Sequence, residues 1–276
     1  MILSNVKLVV TDMDGTLLNS KGEVSKRFLD LYRELSSLGV HFIAASGRQY
    51  FSISSKLENI KNEITIIAEN GGLIIENENE LHVKSIAPNA IDIFVKELRK
   101  INGVYTILCG INSAYVENSD SHFIAMFNEY YYKYKIVDDL TTVTNDTFLK
   151  IASYHFENSE TQIYPHLKAF ENQFQIKVSG QNWLDISHPQ ANKGVALKFI
   201  QDKMNINPSE TMVFGDYNND LEMLHRAHFS YAMQNAHPNV KAIANFETSS
   251  NNDFGVENVL EELLLAKKGN FTNHLK

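Results

Sequence analysis

The chain has 276 residues, 43% apolar and 21% charged, enough for one large domain or two ordinary ones and a balance that excludes wholesale disorder. Its net charge of −8, with no Lys/Arg block, argues against nucleic acid as a partner and leaves room only for a local basic pocket. Its one cysteine, Cys109, cannot form an internal disulfide; no run of about 18 uncharged apolar residues exists to span a membrane, and the short apolar start broken by Lys7 is no secretory signal, so a cytoplasmic protein is expected.

The first element is the apolar run Leu8-Val9-Val10, a short buried strand that leads directly into Thr11-Asp12-Met13-Asp14-Gly15-Thr16-Leu17-Leu18. Two carboxylates one residue apart at a strand end repel each other. At about 4 Å and an effective dielectric near 20, two like charges cost roughly 4 kcal/mol. A bound cation or a shared proton removes that cost, so the pair points to a metal site or to acid–base chemistry. Ser25 then caps a helix that buries Phe28, Leu31, Tyr32, Leu35 and Leu38 and stops at Gly39. A second strand over 41–45 leads to Ser46-Gly47-Arg48, which sets a hydroxyl, exposed backbone N–H groups and a guanidinium at a strand-to-helix turn suited to an anion. A third strand over 64–68 leads to Glu69-Asn70-Gly71-Gly72, and 76–80 reads as a short polar loop.

From about residue 85 to 188 the pattern changes. Helical stretches over 90–101 and 122–134 alternate with strand-like pieces over 105–108, 114–117, 149–156, 175–179 and 183–187, and none of these strands ends in a carboxylate cluster. This reads as an inserted α+β domain, entered near Ala87-Pro88 and left near His188-Pro189, so that residues 1–84 and 189–276 together form a discontinuous core domain around it. The aromatic run Phe123, Phe127, Tyr130, Tyr131, Tyr132 and Tyr134 reads as packing within the insert rather than as a stacking platform for bases. His225 and His228 lie three apart, but no further Cys or His spacing completes a zinc site.

After the insert, Lys193 opens a helix that runs to Met204 and ends before Pro208. A lysine at the positive end of a helix is electrostatically misplaced, which hints at a partner anion. A strand over 211–214 then leads to Gly215-Asp216-Tyr217-Asn218-Asn219-Asp220, a second acidic patch. Pro238 suits the first turn of another helix, and a last one spans about 256–267, with Val259, Leu260, Leu263 and Leu264 on one stripe. The core strands are nearly continuous hydrophobe, as expected where both faces are covered. Strands alternating with helices imply an α/β fold, a Rossmann-like doubly wound parallel sheet, and ligands in such sheets sit outside the carboxyl ends of the strands. All four polar clusters fall at those ends and can converge on one site, where Asp12, Asp216, a backbone carbonyl and waters would suit octahedral Mg²⁺. Neither a G-x-x-x-x-G-K-[ST] loop nor a strand-linked G-x-G-x-x-G is present.

Asp12-Met13-Asp14-Gly15-Thr16-Leu17-Leu18 resembles the first motif of the haloacid dehalogenase superfamily of phosphotransferases. Ser46-Gly47-Arg48 is similar to its second motif, Lys193 to its third, and Gly215-Asp216-Tyr217-Asn218-Asn219-Asp220 to its fourth, in matching order over the whole chain. Glu69-Asn70-Gly71-Gly72, Ala232-Met233-Gln234-Asn235-Ala236 and Asp253-Phe254-Gly255-Val256 resemble phrases of the Cof-type branch, whose insert is the larger type IIB (C2B) cap. The resemblance implies a Mg²⁺-dependent phosphatase acting on small phosphorylated metabolites, sugar phosphates among them. By the same resemblance Asp12 would attack phosphorus and form an aspartyl-phosphate, and Asp14 would serve as general acid and then base. Asp12, the Asp14 main-chain carbonyl and Asp216 would hold the metal, with Asp220 in support. Ser46 and Lys193 would bind phosphoryl oxygens beside Gly47 and Arg48, Asn219 would help orient the phosphate, and Thr16 would fix the turn after the nucleophile. The insert would close over the site, exclude water and select the leaving group, with Trp183 and His188 the candidates near the hinge. Two alternatives stay open: a hexose phosphomutase, and a non-catalytic phosphoacceptor or ligand-binding module. Oligomeric state, monomer or weak dimer, is open too.

Overall fold

The computed structural model of the chain describes residues 2–274. Five strands come first: β1 (Leu8–Asp12), β2 (His41–Ala45), β3 (Thr65–Ala68), β4 (Leu73–Glu76) and β5 (Asn79–Val83). A second set follows: β6 (Val104–Gly110), β7 (Ala114–Val116), β8 (Tyr134–Ile136), β9 (Phe148–His155), β10 (Gln175–Val178) and β11 (Trp183–Ser187). The chain then returns through β12 (Thr211–Gly215), β13 (Phe229–Met233) and β14 (Phe246–Thr248). The first and last strands form one sheet in the order β14-β13-β12-β1-β2-β3-β4-β5, and the middle strands form another in the order β10-β11-β9-β6-β7-β8.

From β14 to β3 the large sheet is parallel. Every residue of β1, β12 and β13 is buried, which requires cover on both faces. Helix Lys26–Ser37 contributes Phe28, Leu31, Tyr32 and Leu35 to that core, and helix Gly255–His274 contributes Val256, Val259, Leu260 and Leu263. Ser25 caps the first of these by accepting from the Phe28 N–H at 2.9 Å, and Gly39, at φ +78°, ends it. From β1 the chain moves outward through β2 and β3, and after the second sheet it moves the other way through β12, β13 and β14. The direction reverses between β1 and β12. A crevice opens at the carboxyl ends of strands at such a point, so Asp12 and Asp216, which close or follow those two strands, are brought face to face by topology alone.

Two expectations need correction. The segment 76–80 is not a polar loop: β4 and β5 form an antiparallel hairpin at the sheet edge, turning through Asn77 (φ 49°) and Glu78 (φ 63°). Two consecutive positive φ values make this a type I′ turn, which usually carries Asn-Gly; Glu78 in the second position hid it. The aromatic stretch 122–134 is not one helix. The helix ends at Phe127, turns follow, and Tyr134 opens β8. Aromatic and β-branched residues fit strands as readily as helices, so a run rich in Tyr does not fix the period.

The second sheet has two distinct faces, because side chains alternate along a strand. Ile151, Leu184 and Ile186 point to helix Pro88–Leu98, where Ile91, Phe94 and Val95 meet them. Ala152 and Tyr154 point the other way, packing with Phe123 and Phe127. Lys150, Trp183 and Asp185 share this second face, which looks onto the carboxyl ends of the large sheet.

After β3 the backbone takes three left-handed residues in a row: Glu69 (φ 51°), Asn70 (φ 53°) and Gly71 (φ 96°). For residues with a Cβ this conformation costs roughly 1–2 kcal/mol each. A Cβ on Gly71 would also lie 2.5 Å from the Asn192 carbonyl oxygen, at the start of the helix that carries Lys193. Gly71→Ala is therefore expected to lower stability by on the order of 2 kcal/mol or more, read as a reduced urea midpoint at unchanged slope. A midpoint equal to that of the unaltered protein would mean the chain does not need the close approach.

Candidate active site

Past Asp12 the chain turns sharply. The Leu17 N–H donates to the Asp12 carbonyl at 3.2 Å, and the Leu18 N–H donates to that of Met13 at 2.8 Å. Gly15 sits at φ +77°, and a Cβ there would come within 2.3 Å of Asp216 Oδ2. Only glycine lets this turn pass so close to the second acidic patch. Asp12, Asp216 and Asp220 each offer a carboxylate oxygen within 4.8 Å of the others.

These three carboxylates are not equivalent. Asp220 is fully engaged: one oxygen accepts from the backbone N–H groups of Asp216 (2.9 Å) and Tyr217 (3.1 Å), the other from Lys193 Nζ at 2.7 Å. It holds the loop in shape. Asp216 accepts the Thr16 hydroxyl at 3.2 Å. Asp12 Oδ1 accepts from Lys193 at 2.5 Å, while Asp12 Oδ2 is buried with no hydrogen-bond partner. Lys193 itself is completely buried, at the first turn of a helix capped by the Asn192 side chain. The anion answering this misplaced lysine is thus the Asp12–Asp220 carboxylate pair.

The electrostatics follow from burial and crowding. Burial pushes the Asp12 carboxyl well above the usual carboxylate range; Lys193 pulls it back, and Asp220, Asp216 and Asp14 push it up again. Burial, then Asp220, raises Asp216 to about 7, with Lys193 and the Thr16 hydroxyl opposing. Lys193 loses by burial but gains more from Asp12 and Asp220, so its pKa stands above the ordinary lysine value. One buried lysine faces three carboxylates, and one carboxylate oxygen is orphaned. An all-oxygen, charge-excess cluster of this kind fits a hard divalent cation.

Beyond the cluster lies a cavity of about 530 Å³ between the two sheets. Asp12, Asp14, Ser46, Gly47, Arg48, Asp216 and Asn219 line it, whereas Thr16, Lys193 and Asp220 lie behind its wall and act on it through Asp12 and Asp216. Arg48 grips Asp14 with two hydrogen bonds, Nε to Oδ2 at 2.6 Å and Nη2 to Oδ1 at 2.8 Å. The same guanidinium donates to the Glu129 carbonyl at 3.0 Å and lies 5.3 Å from the centre of the Tyr130 ring, so it touches the second sheet's unit as well. Asn219 donates to Asn70 at 3.0 Å.

Trp183, one of the two candidates near the hinge, lines the cavity, and several other lining residues had drawn no site role from the sequence. Tyr130, Tyr131, Tyr154 and Trp183 form an aromatic wall, with Trp183 at 4.9 Å from Tyr154 and 5.2 Å from Tyr130, ring centre to ring centre. The aromatic run therefore divides: Phe123 and Phe127 pack inside, while Tyr130 and Tyr131 face the cavity. Lys150 and Asp185 also line it. Each is the only Asp, Glu, Lys or Arg of a strand that is otherwise mostly apolar, and that is the signal that could have found them. His188 is not among the lining residues; its Nδ1 accepts the Gln190 N–H.

A parallel sheet with acidic residues facing each other across its reversal point, and an anion-suited turn on the next strand, defines a class of α/β enzymes that handle anionic groups through carboxylates. Residues 9–260 match the family model of the haloacid dehalogenase-like hydrolases, and the chain belongs to that family. Among curated proteins it is 32% identical, over 94% of this chain and 97% of the relative, to the 5-amino-6-(5-phospho-D-ribitylamino)uracil phosphatase YbjI of Escherichia coli. Among solved structures, SMU.1108c of Streptococcus mutans superposes with a TM-score of 0.87 at 28% identity, covering 94% of this chain and 99% of that one. The subclass IIB sugar phosphatase BT4131 shares the fold, with a TM-score of 0.79 at 20% identity over 93% and 98% of the two chains. No helix among the described residues is long and apolar enough to cross a membrane.

Proposed function

We propose that this enzyme is a Mg²⁺-dependent phosphatase that hydrolyses small phosphomonoesters through a phosphorylated Asp12. The observation that carries this reading is the bare Asp12 Oδ2, buried opposite Asp216 and adjoining the cavity between the two sheets. Asp12 and Asp216, with the Asp14 main-chain carbonyl, would hold the metal. When bound, the ion supplies positive charge that offsets carboxylate repulsion and the charge of the phosphoryl group.

The remaining work falls to side chains. Lys193 fixes the orientation of Asp12 and partly screens it from Asp220. The Ser46 hydroxyl, the Gly47 N–H and Arg48 gather the phosphoryl oxygens at the turn after β2. One Asp12 oxygen attacks phosphorus as the ester oxygen leaves, and Asp14 gives that oxygen a proton. Asp14 then takes a proton from the water that attacks the phosphoaspartate, and inorganic phosphate and free Asp12 result. Two easier steps replace one hard one, and positioning with charge neutralisation does most of the catalysis.

Residues 85–188 act in this reading as the cap, set between core segments 1–84 and 189–276. Its aromatic wall receives the leaving group. The relative named for a phosphoribitylamino-uracil offers one candidate shape, a flat ring on a polyol phosphate, and sugar phosphates offer another. Cytoplasmic metabolites of either kind are the substrates to try. A screen of phosphorylated metabolites that reads free phosphate, run with Mg²⁺ and again with chelator, tests the proposal. Release of phosphate from at least one small monoester, abolished by chelation, is expected. Full activity with chelator, or no release across the panel, would refute it.

Metal affinity should also depend on pH. A carboxyl raised to about 7 carries a proton below that pH, and the metal must displace it. Mg²⁺ affinity is expected to weaken at least tenfold for each pH unit below 7, with at least one proton released per ion bound in that range, since burial raises the Asp12 carboxyl as well. Calorimetry in two buffers of different ionisation enthalpy reads both quantities. Affinity that is flat from pH 5.5 to 8 would remove Asp216 from the metal site.

A further inference from the structure

We propose that Lys150 is a positioning residue: carried on the second sheet, it sets the geometry of the Ser46-Gly47-Arg48 turn on the first. The proposal rests on the phosphatase reading, in which that turn gathers the phosphoryl oxygens.

The turn has a weak point. Gly47 has no side chain to restrict its backbone, and glycine loses more conformational freedom than any other residue when held in one pose. The Ser46 hydroxyl steadies one end by accepting from the Arg48 N–H at 3.1 Å. The Gly47 N–H has no protein partner among the described residues and adjoins the cavity, as an anion donor should. Its carbonyl is held from outside, by Lys150 Nζ at 2.8 Å, a contact that spans 103 positions of sequence and joins the two sheets.

Lys150 is poorly suited to binding phosphate itself. Its ammonium lies 2.9 Å from Glu69 Oε2 and 3.4 Å from Asp185 Oδ2, and all three side chains are less than one-tenth exposed. Burial disfavours its charge, but Asp185 and Glu69 outweigh burial and hold its pKa above the ordinary lysine value. Two carboxylates already answer that charge, so what Lys150 offers the site is a fixed donor aimed at a backbone oxygen. Its neighbours extend the same framework. Asp185 accepts from Asn70 at 3.4 Å, Asn70 accepts from Asn219 at 3.0 Å, and a Cβ on Gly47 would lie 3.1 Å from the Asn70 amide. The turn is thus wedged between Asn70 and the lysine, and Asn70 links it to the loop that carries Asp216. The left-handed backbone at Glu69 and Asn70 is what turns both side chains to this junction.

The test compares the wild type with Lys150→Met and with the double variant Lys150→Met/Glu69→Gln, which avoids leaving Glu69 as an unanswered buried charge. Each is assayed with Mg²⁺ and p-nitrophenyl phosphate, with inorganic phosphate as inhibitor, beside a thermal unfolding scan. A loosened turn is expected to lower kcat on the order of 10²-fold and to weaken phosphate inhibition, in a double variant that unfolds close to the wild-type temperature. A folded double variant with wild-type kcat, KM and phosphate inhibition would overturn the proposal and leave Lys150 as a seat for the second sheet. Absence of turnover in the wild type would count against the phosphatase reading alone. Calorimetric binding of inorganic phosphate with Mg²⁺ would still decide on Lys150, weakened binding supporting its role and unchanged binding overturning it.

Discussion

Asp12→Asn is expected to abolish turnover, lowering kcat by on the order of 10⁴-fold or more for every substrate regardless of its leaving group. The amide is nearly isosteric, so the effect isolates chemistry from packing. Asp12 supplies the orphan oxygen nearest the cavity, one of the opposed carboxylates of the acidic cluster, and the acceptor for Lys193. An amide is a poor nucleophile and a weaker cation ligand, and it puts an N–H₂ group where the lysine or the metal requires an oxygen. The fold should survive: removing one negative charge from a cluster of three relieves repulsion, and burial already pushes the Asp12 carboxyl toward its neutral form. In the metal-free protein at neutral pH the variant is expected to be no less stable than the parent. Turnover within tenfold of the parent would defeat the nucleophile assignment; a collapsed fold would show that the Lys193 pair is structural first.

Asp14→Asn should separate the two chemical steps. Asp14 lines the cavity, gripped by Arg48 at the border between the two sheets. General acid–base catalysis contributes roughly 10²–10⁴-fold, and that is the expected loss for alkyl phosphates, whose leaving oxygen needs a proton. p-Nitrophenolate leaves without one, so the first step should survive with an aryl phosphate, while the second lacks its base. A stoichiometric burst of nitrophenol followed by slow turnover is the expected trace. Equal losses for alkyl and aryl substrates with no burst would mean that Asp14 acts through structure, by anchoring Arg48.

What the chain order reveals, and what it hides, follows from the range of the interactions. The strands β1, β2, β3 and β12, and the polar clusters that follow them, were legible because a continuous apolar run ending in Asp or Ser is a local pattern. The caps at Ser25 and Gly39 were legible for the same reason. That a site lies outside the carboxyl ends of the strands followed from general rules of α/β topology, whereas the place of the reversal, between β1 and β12, was not read from the chain. The β4–β5 hairpin was hidden because its turn carries Asn77-Glu78, without the glycine that marks such turns. Lys193 stood out as a cation calling for an anion, but that the anion is the buried Asp12–Asp220 pair was not legible, because a pairing across 181 and 27 positions leaves no trace in local sequence. Lys150 and Asp185 were overlooked for the opposite reason. Each is the one Asp, Glu, Lys or Arg of a mostly apolar strand, and which face of a strand looks onto a cavity rather than onto water is decided by how two sheets come together. The aromatic run shows the same limit, since packing inside the cap and lining the cavity use the same residue types within one short segment.

Passage of a phosphoryl group through Asp12 is read most directly by rapid-quench mass spectrometry. The enzyme is mixed with a turning-over substrate and Mg²⁺, quenched in acid within the first turnover, and digested. The expected result is one added phosphoryl group on the peptide containing Asp12, present only with the metal, decaying at the rate of turnover and more abundant in Asp14→Asn. Steady release of phosphate with that peptide unmodified throughout, or with the group on any other residue, would contradict the account.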